Sequence, residues 1–223
     1  MAVKGSSQVP SNQLKNTVGR SILSDNDIRR LWGREIIIRS PGQELVKFDE
    51  SQIQLGSIDL HFQRDYKKIK LGKDEVLTYD MLVSHRYTKS YSLEGNAPLR
   101  IEPGEMILTN TLESVQLDRS IAGFVYGRNS IARLGIEVTM APYINPGHGT
   151  RIPLQLVNRA PCTVELAQHI AICQLVLLGL NSPASNTYKK QPTSKYATET
   201  TVKESQIDVE LDVILHNEEQ EGK

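Results

Sequence analysis

Met106-Ile107-Leu108-Thr109, directly after the turn Pro103-Gly104, opens a series of short apolar runs whose spacing decides the fold. Ala122 to Tyr126, Ile152 to Val157, Thr163 to Leu166 and Ile170 to Leu178 follow, separated by Gly, Pro and Asn. A succession of short strand-length runs bounded by turn residues argues for a sandwich or barrel, not for alternating β and α units. The only helical candidate in this half is Ser130 to Gly135.

Towards the N-terminus, Ser24-Asp25-Asn26-Asp27 has the chemistry of a helix start. The Ser24 hydroxyl can accept from exposed first-turn amides, and the acids suit the positive end of the helix dipole. Ile28, Leu31 and Trp32 then form an apolar stripe at helical spacing, closing near Gly33. Glu35 to Arg39 reads as a strand stopped by Pro41-Gly42. In Gln54 to Phe62, Ile58, Leu60 and Phe62 alternate with Asp59 and His61, as in a strand. Lys67 to Leu99 is polar and gives no strong signal. Ser185 to Pro192 reads as a loop, and Ile207 to Val213 as a late strand with an acidic outer face. The expected organisation is a flexible basic arm over 1–20, one mainly β domain over 21–207, and an acidic strand and tail over 208–223.

Whole-chain properties exclude several classes. The 223 residues carry 26 basic and 26 acidic side chains, so net charge gives no argument for nucleic acid or an anionic membrane. No apolar run reaches the ~18 residues of a membrane span. Met1 to Arg20 lacks the apolar core of a signal peptide. Cys162 and Cys173 are too few for a disulfide framework and read as buried thiols of a cytoplasmic protein.

The densest chemistry lies in Gly127-Arg128-Asn129-Ser130-Ile131-Ala132-Arg133-Leu134-Gly135-Ile136, followed by Ile144-Asn145-Pro146-Gly147. Two guanidinium groups, a hydroxyl and an amide form a donor set for a polyanion. The Asn-Pro-Gly turn can bring backbone close to a ligand. On chemistry alone this points to a phosphorylated small molecule; the competing reading is a surface helix with solvated arginines.

Together with Ile22-Leu23-Ser24-Asp25, Gly56-Ser57-Ile58-Asp59-Leu60, Pro103-Gly104-Glu105, Thr111-Leu112-Glu113-Ser114-Val115 and Lys195-Tyr196, these runs occur in an order and spacing that resembles the dCTP deaminases, relatives of the trimeric dUTPases. The resemblance covers about residues 21 to 207. It implies a distorted antiparallel β-barrel or jelly roll, assembled as a homotrimer with sites between subunits. It implies a pyrimidine deoxynucleoside triphosphate as substrate, with Mg²⁺ on the phosphates. It places Arg128 and Ser130 at the phosphates, with Asn129 between them where the deaminases carry serine. It assigns Arg133 to phosphate contact across the interface, Ala141 and Tyr143 to the segment that reads the pyrimidine edge, and Tyr188, Lys195 and Tyr196 to the closing C-terminal segment.

The same resemblance exposes departures. The family uses a glutamate, without zinc, to activate water for attack at C4 of cytosine. Gln155 stands at that position, and an amide cannot take up a proton near neutral pH. Asn145 replaces the aspartate of the turn, Glu199 replaces a glutamine of the closing segment, and Thr201 its glycine. A zinc deaminase would need a His/Cys ligand set with Cys-x-x-Cys spacing, which Cys162 and Cys173 do not supply. His148, Glu137 and Glu199 are the candidates to stand in for the missing acid, but none matches a role in the family and each fits a surface position better. Three functions follow: deamination of dCTP at an altered site, nucleotide binding without turnover, or assembly alone.

Overall fold

Ser24 begins the first regular element by the expected chemistry. Its hydroxyl accepts from the Asp27 amide at 3.3 Å, and the Asp27 carboxylate accepts from the Ser24 amide at 3.2 Å. This reciprocal capping starts α1, Asp25–Leu31, which buries Ile28 and Leu31. The structure, a computed structural model, describes residues 22–40, 49–72, 74–138, 141–191, 194–196 and 200–208. The expected arm over 1–20 lies outside them, as does nearly all of the acidic segment.

The strands in chain order are β1 (Ile36–Arg39), β2 (Ile53–Gln54), β3 (Ser57–His61), β4 (Asp65–Ile69), β5 (Thr88–Ser92), β6 (Leu99–Ile101), β7 (Met106–Leu117), β8 (Ile121–Gly127), β9 (Ile136–Val138), β10 (Tyr143–Ile144), β11 (Gly149–Asn158), β12 (Val164–Leu166) and β13 (Ala171–Gly179). Two further short helices are α2, Tyr79–Val83, and α3, Asn129–Ala132. One sheet runs β5-β4-β7-β11-β9, with β1 also on β7; a second runs β10-β8-β13-β3-β2; β12 and β6 form a ribbon. The paired strands are antiparallel throughout. The expectation of a mainly β, distorted antiparallel architecture holds.

The two sheets pack face to face. Ile58 and Leu60 of β3, Val125 of β8, and Leu175 and Leu177 of β13 meet Ile107, Val115 and Leu117 of β7 with Leu154 and Leu156 of β11. Each buried side chain of this size contributes about 1.5–3 kcal/mol by leaving water. β11 breaks register between Arg151 and Pro153, where the chain bulges against β7. Pro153 has no amide hydrogen to give the ladder, and a bulge is where a strand tolerates that loss.

Four expectations need correction. Lys67 to Leu99 holds β4, α2 and β5; its lysines and tyrosines alternate on a strand pair whose two faces are both partly polar, which hides the period. Ile207 and Asp208 have helical backbone, so no strand starts at Ile207. Cys173 is buried but Cys162 is exposed, because it sits in the bend before β12 and not on a ladder. The Ser185 to Pro192 loop contains a short 3₁₀ turn, Tyr188–Lys190.

Candidate functional site

Three strands set one wall of a cavity. Gln155 of β11 pairs with Leu108 of β7, and Leu108 pairs with Lys67 of β4. Side chains at paired positions share a face, so Lys67, Leu108 and Gln155 form a row on the outer face of the larger sheet. Leu108 and Gln155 line a cavity of about 640 Å³, closed on other sides by Leu77, Leu82, Tyr87, Ala141, Tyr143, Asn145, His148, Tyr188, Tyr196 and residues 203–205. Its wall is largely apolar and aromatic, broken by the amides of Gln155 and Asn145 and the carboxylate of Glu204. Such a wall suits a flat heteroaromatic ring, and an amide can both donate and accept at a ring edge.

The turn at 145–148 is built tightly. The His148 amide donates to Asn145 O at 3.1 Å, and the Tyr188 amide to Pro146 O at 3.1 Å. Gly147 has φ +75°, and a Cβ there would lie 2.6 Å from Thr187 Cβ. Only glycine permits this approach. The interlock fixes Tyr188 beside Asn145 in the cavity wall. His148 is a correction to the surface position expected for it. Its side chain is buried, with the residue 6% exposed, and its Nε2–H donates to Thr150 O at 3.0 Å. Burial pushes the imidazole down to about 4, against the opposing pull of the Thr150 carbonyl, so it is neutral at pH 7.

The C-terminal segment covers the row. Lys67 Nζ lies 2.5 Å from Glu204 Oε1, and the Thr88 hydroxyl donates to the same oxygen at 2.6 Å. Burial works to raise the Glu204 carboxyl, but these bonds outweigh it and hold it below the usual range. The Tyr87 hydroxyl accepts from the Ser205 amide at 2.9 Å, and the Tyr196 hydroxyl from the Gln206 amide at 2.9 Å. Glu204 and Tyr87 were missed in the sequence. Tyr87 falls in the stretch that gave no periodic signal, and an isolated glutamate beyond the closing segment carries no local signature.

The arginine motif lies elsewhere on the same chain. Arg128 follows β8 and occupies the N-cap position of α3; its Nη2 is 3.2 Å from Asp59 Oδ2 and its Nη1 donates to Ala171 O at 3.2 Å. Asn129, Ser130 and Arg133 are exposed, and none of the four lines the cavity. Lys195 is half-buried and is not among the lining residues. Glu199 lies outside the described residues. Glu137 is exposed and paired with Arg159 at 2.9 Å, far in role from the cavity. One chain therefore gathers Gln155, Asn145, Ala141, Tyr143, Tyr188 and Tyr196 about one cavity and presents Arg128, Asn129, Ser130 and Arg133 on another surface. Among the described residues no group of three or more His, Cys, Asp or Glu is placed to hold a metal ion, and no helix is long and apolar enough to cross a membrane.

The scaffold is an antiparallel β domain with a tyrosine-lined cavity and, away from that lining, an arginine-serine helix start. The sequence profile of the dCTP deaminase-like family matches residues 22–180, and the chain belongs to that family. It is 33% identical over 197 residues to the "dCTP deaminase, dUMP-forming" of Methanosphaera stadtmanae, covering 87% of this chain and 98% of that protein. It is also 33% identical over 190 residues to the protein of the same description from Methanothermobacter thermautotrophicus, covering 84% and 94%. Among solved structures, the 2'-deoxycytidine 5'-triphosphate deaminase of Agrobacterium tumefaciens has the same fold, with a TM-score of 0.55 at 19% identity. That match covers 72% of this chain and 49% of the other, so the chain spans about half the length of that solved protein.

Proposed function

We propose that this protein binds a pyrimidine deoxynucleoside triphosphate, with the base and sugar in the cavity and the phosphates gripped by Arg128, Ser130 and Arg133 of a second copy in a homotrimer. The observation that carries the reading is the segregation just described. The base-side residues line one cavity of the chain, and none of the phosphate-side residues is part of that lining. Two such half-sites complete each other only across an interface. Mg²⁺ enters as part of the nucleotide, whose phosphates supply the oxygen ligands it prefers. A net charge of zero at pH 7 gives no support for nucleic acid as the ligand. The metabolite class suits a cytoplasmic setting.

The scaffold supports hydrolytic deamination of dCTP: water adds at C4, and ammonia leaves with the proton that water gave up. Gln155 can hold that water but cannot take its proton. General base help is worth about 10²–10⁴ in rate, so the Gln155 amide favours a second reading, binding without turnover. Titration calorimetry with dCTP and dUTP tests the first statement, and ammonia release separates the two readings. Micromolar affinity with no ammonia identifies a nucleotide sensor; failure to bind either triphosphate overturns both. Mixing Arg128→Ala and Tyr188→Ala chains tests the shared site. Mixed trimers regain binding that each parent lacks if the two half-sites come from different chains.

A further inference from the structure

Asp59 sits at the centre of β3, in the Gly56-Ser57-Ile58-Asp59-Leu60 run, with a side chain only 8% exposed. A carboxylate at such a site is costly unless it is paired. Its partner is Arg128, whose side chain is 36% exposed and whose Nη2 lies 3.2 Å from Asp59 Oδ2. Gln54 Nε2 donates to the same Asp59 oxygen at 3.3 Å, and Gln52 Nε2 donates to the Asp59 carbonyl at 2.9 Å. The Gln52 amide also reaches Glu113 Oε1 at 2.9 Å, and Glu113 holds His61 Nδ1 at 2.6 Å. Both the backbone and the side chain of Asp59 are thus fixed to a buried polar network.

We propose that Asp59 is a positioning residue for Arg128, holding one edge of the guanidinium against its own chain so that the other edge meets the phosphates of the nucleotide. The inference rests on the phosphate role given to Arg128 above. Nη2 is spent on Asp59 and Nη1 on Ala171 O, which leaves the remaining N–H groups for an anion. An arginine fixed in this way loses little side-chain freedom when it binds. Burial acts to raise the Asp59 carboxyl, more strongly than Arg128 and His61 act to lower it. The pair thus depends on Arg128 staying in place.

The test is Asp59→Asn, which keeps shape and removes charge, assayed by calorimetry with dCTP and with deoxycytidine. The expected result is a loss of about tenfold or more in triphosphate affinity, the scale of a hydrogen bond to a charged group, with nucleoside affinity unchanged. In an Asp59→Asn, Arg128→Ala double variant the two losses should not add, because both act on one grip. If Asp59→Asn unfolds, Gln54→Leu, which removes only the second bond to Asp59, should give the same selective loss in smaller measure. Equal loss for dCTP and deoxycytidine, or no loss for dCTP, overturns the inference while the nucleotide reading stands. If the unaltered protein binds deoxycytidine but no triphosphate, the phosphate role of Arg128 fails and the inference fails with it.

Discussion

Lys67 Nζ and Glu204 Oε1 lie 2.5 Å apart, joining β4 to a segment 137 residues further along the chain. The contact lies beside the cavity that Glu204 lines. Replacing Lys67 by Met should loosen the segment over the cavity, weaken nucleotide binding by about tenfold, and speed proteolysis after Lys203. The binding loss follows from removing one partner of a half-buried ion pair. The pH sign follows from the Glu204 carboxyl, which the fold holds low. Its contribution is complete above the ordinary glutamate range of about 4.3 and is lost as pH falls through the lower folded value. Unchanged proteolysis of Lys67→Met would show that the Lys67–Glu204 pair does not hold the C-terminal segment in place.

His148 predicts a second pH dependence at a higher range. Its folded value of about 4 lies below the ordinary 6.5, so the unfolded chain takes up a proton that the folded chain refuses. The stabilisation is full above pH 6.5 and is lost as pH falls towards 4, with a total of about 3 kcal/mol. Urea midpoints at pH 7.5 and 5.0 should therefore differ, and His148→Gln should flatten the difference. A variant with the same slope as the parent would assign the dependence to other groups.

Gln155→Glu supplies a proton acceptor at the position paired with Leu108. If the rest of the cavity is suited to water attack at C4, ammonia release from dCTP should rise by about 10²-fold or more, the usual worth of general base help. If the variant binds dCTP as the parent does and releases no ammonia, a carboxylate at position 155 is not sufficient for turnover in this cavity.

Gly147→Ala tests the interlock beside the cavity. The alanine must adopt φ +75°, and its Cβ would lie 2.6 Å from Thr187 Cβ. A cost of about 1–3 kcal/mol is expected from the backbone strain, with a lowered melting temperature. Tyr188 should also lose its place, so nucleoside affinity falls together with triphosphate affinity. An unaltered affinity would show that Tyr188 is held by other contacts.

Much of this was legible in the amino-acid order, for identifiable reasons. Ser24 and Asp27 announced α1 because capping chemistry is local. The strands from Met106 onward were legible because their apolar faces point into one core. Lys67 to Leu99 was not, because β4 and β5 present Tyr66, Lys68, Lys89 and Tyr91 on one face and Lys67 and Ser90 on the other, so neither face is apolar. Gln155, Asn145 and Tyr188 were found by their place among motifs, and the structure gathers them at one cavity. Asp59 and Glu204 were not assigned roles. Their partners, Arg128 and Lys67, are 69 and 137 residues away in sequence, and pairing across such distances leaves no spacing to read.

The register that puts Gln155 opposite Leu108 is kept by main-chain bonds and by the buried Leu154 and Leu156 on either side. None of those forces consults the atom at the tip of residue 155. The strand register is therefore set independently of whether residue 155 ends in an amide or an acid. The forces that set the strand and the terminal group that would meet a ligand thus reside in different atoms of the same ten residues.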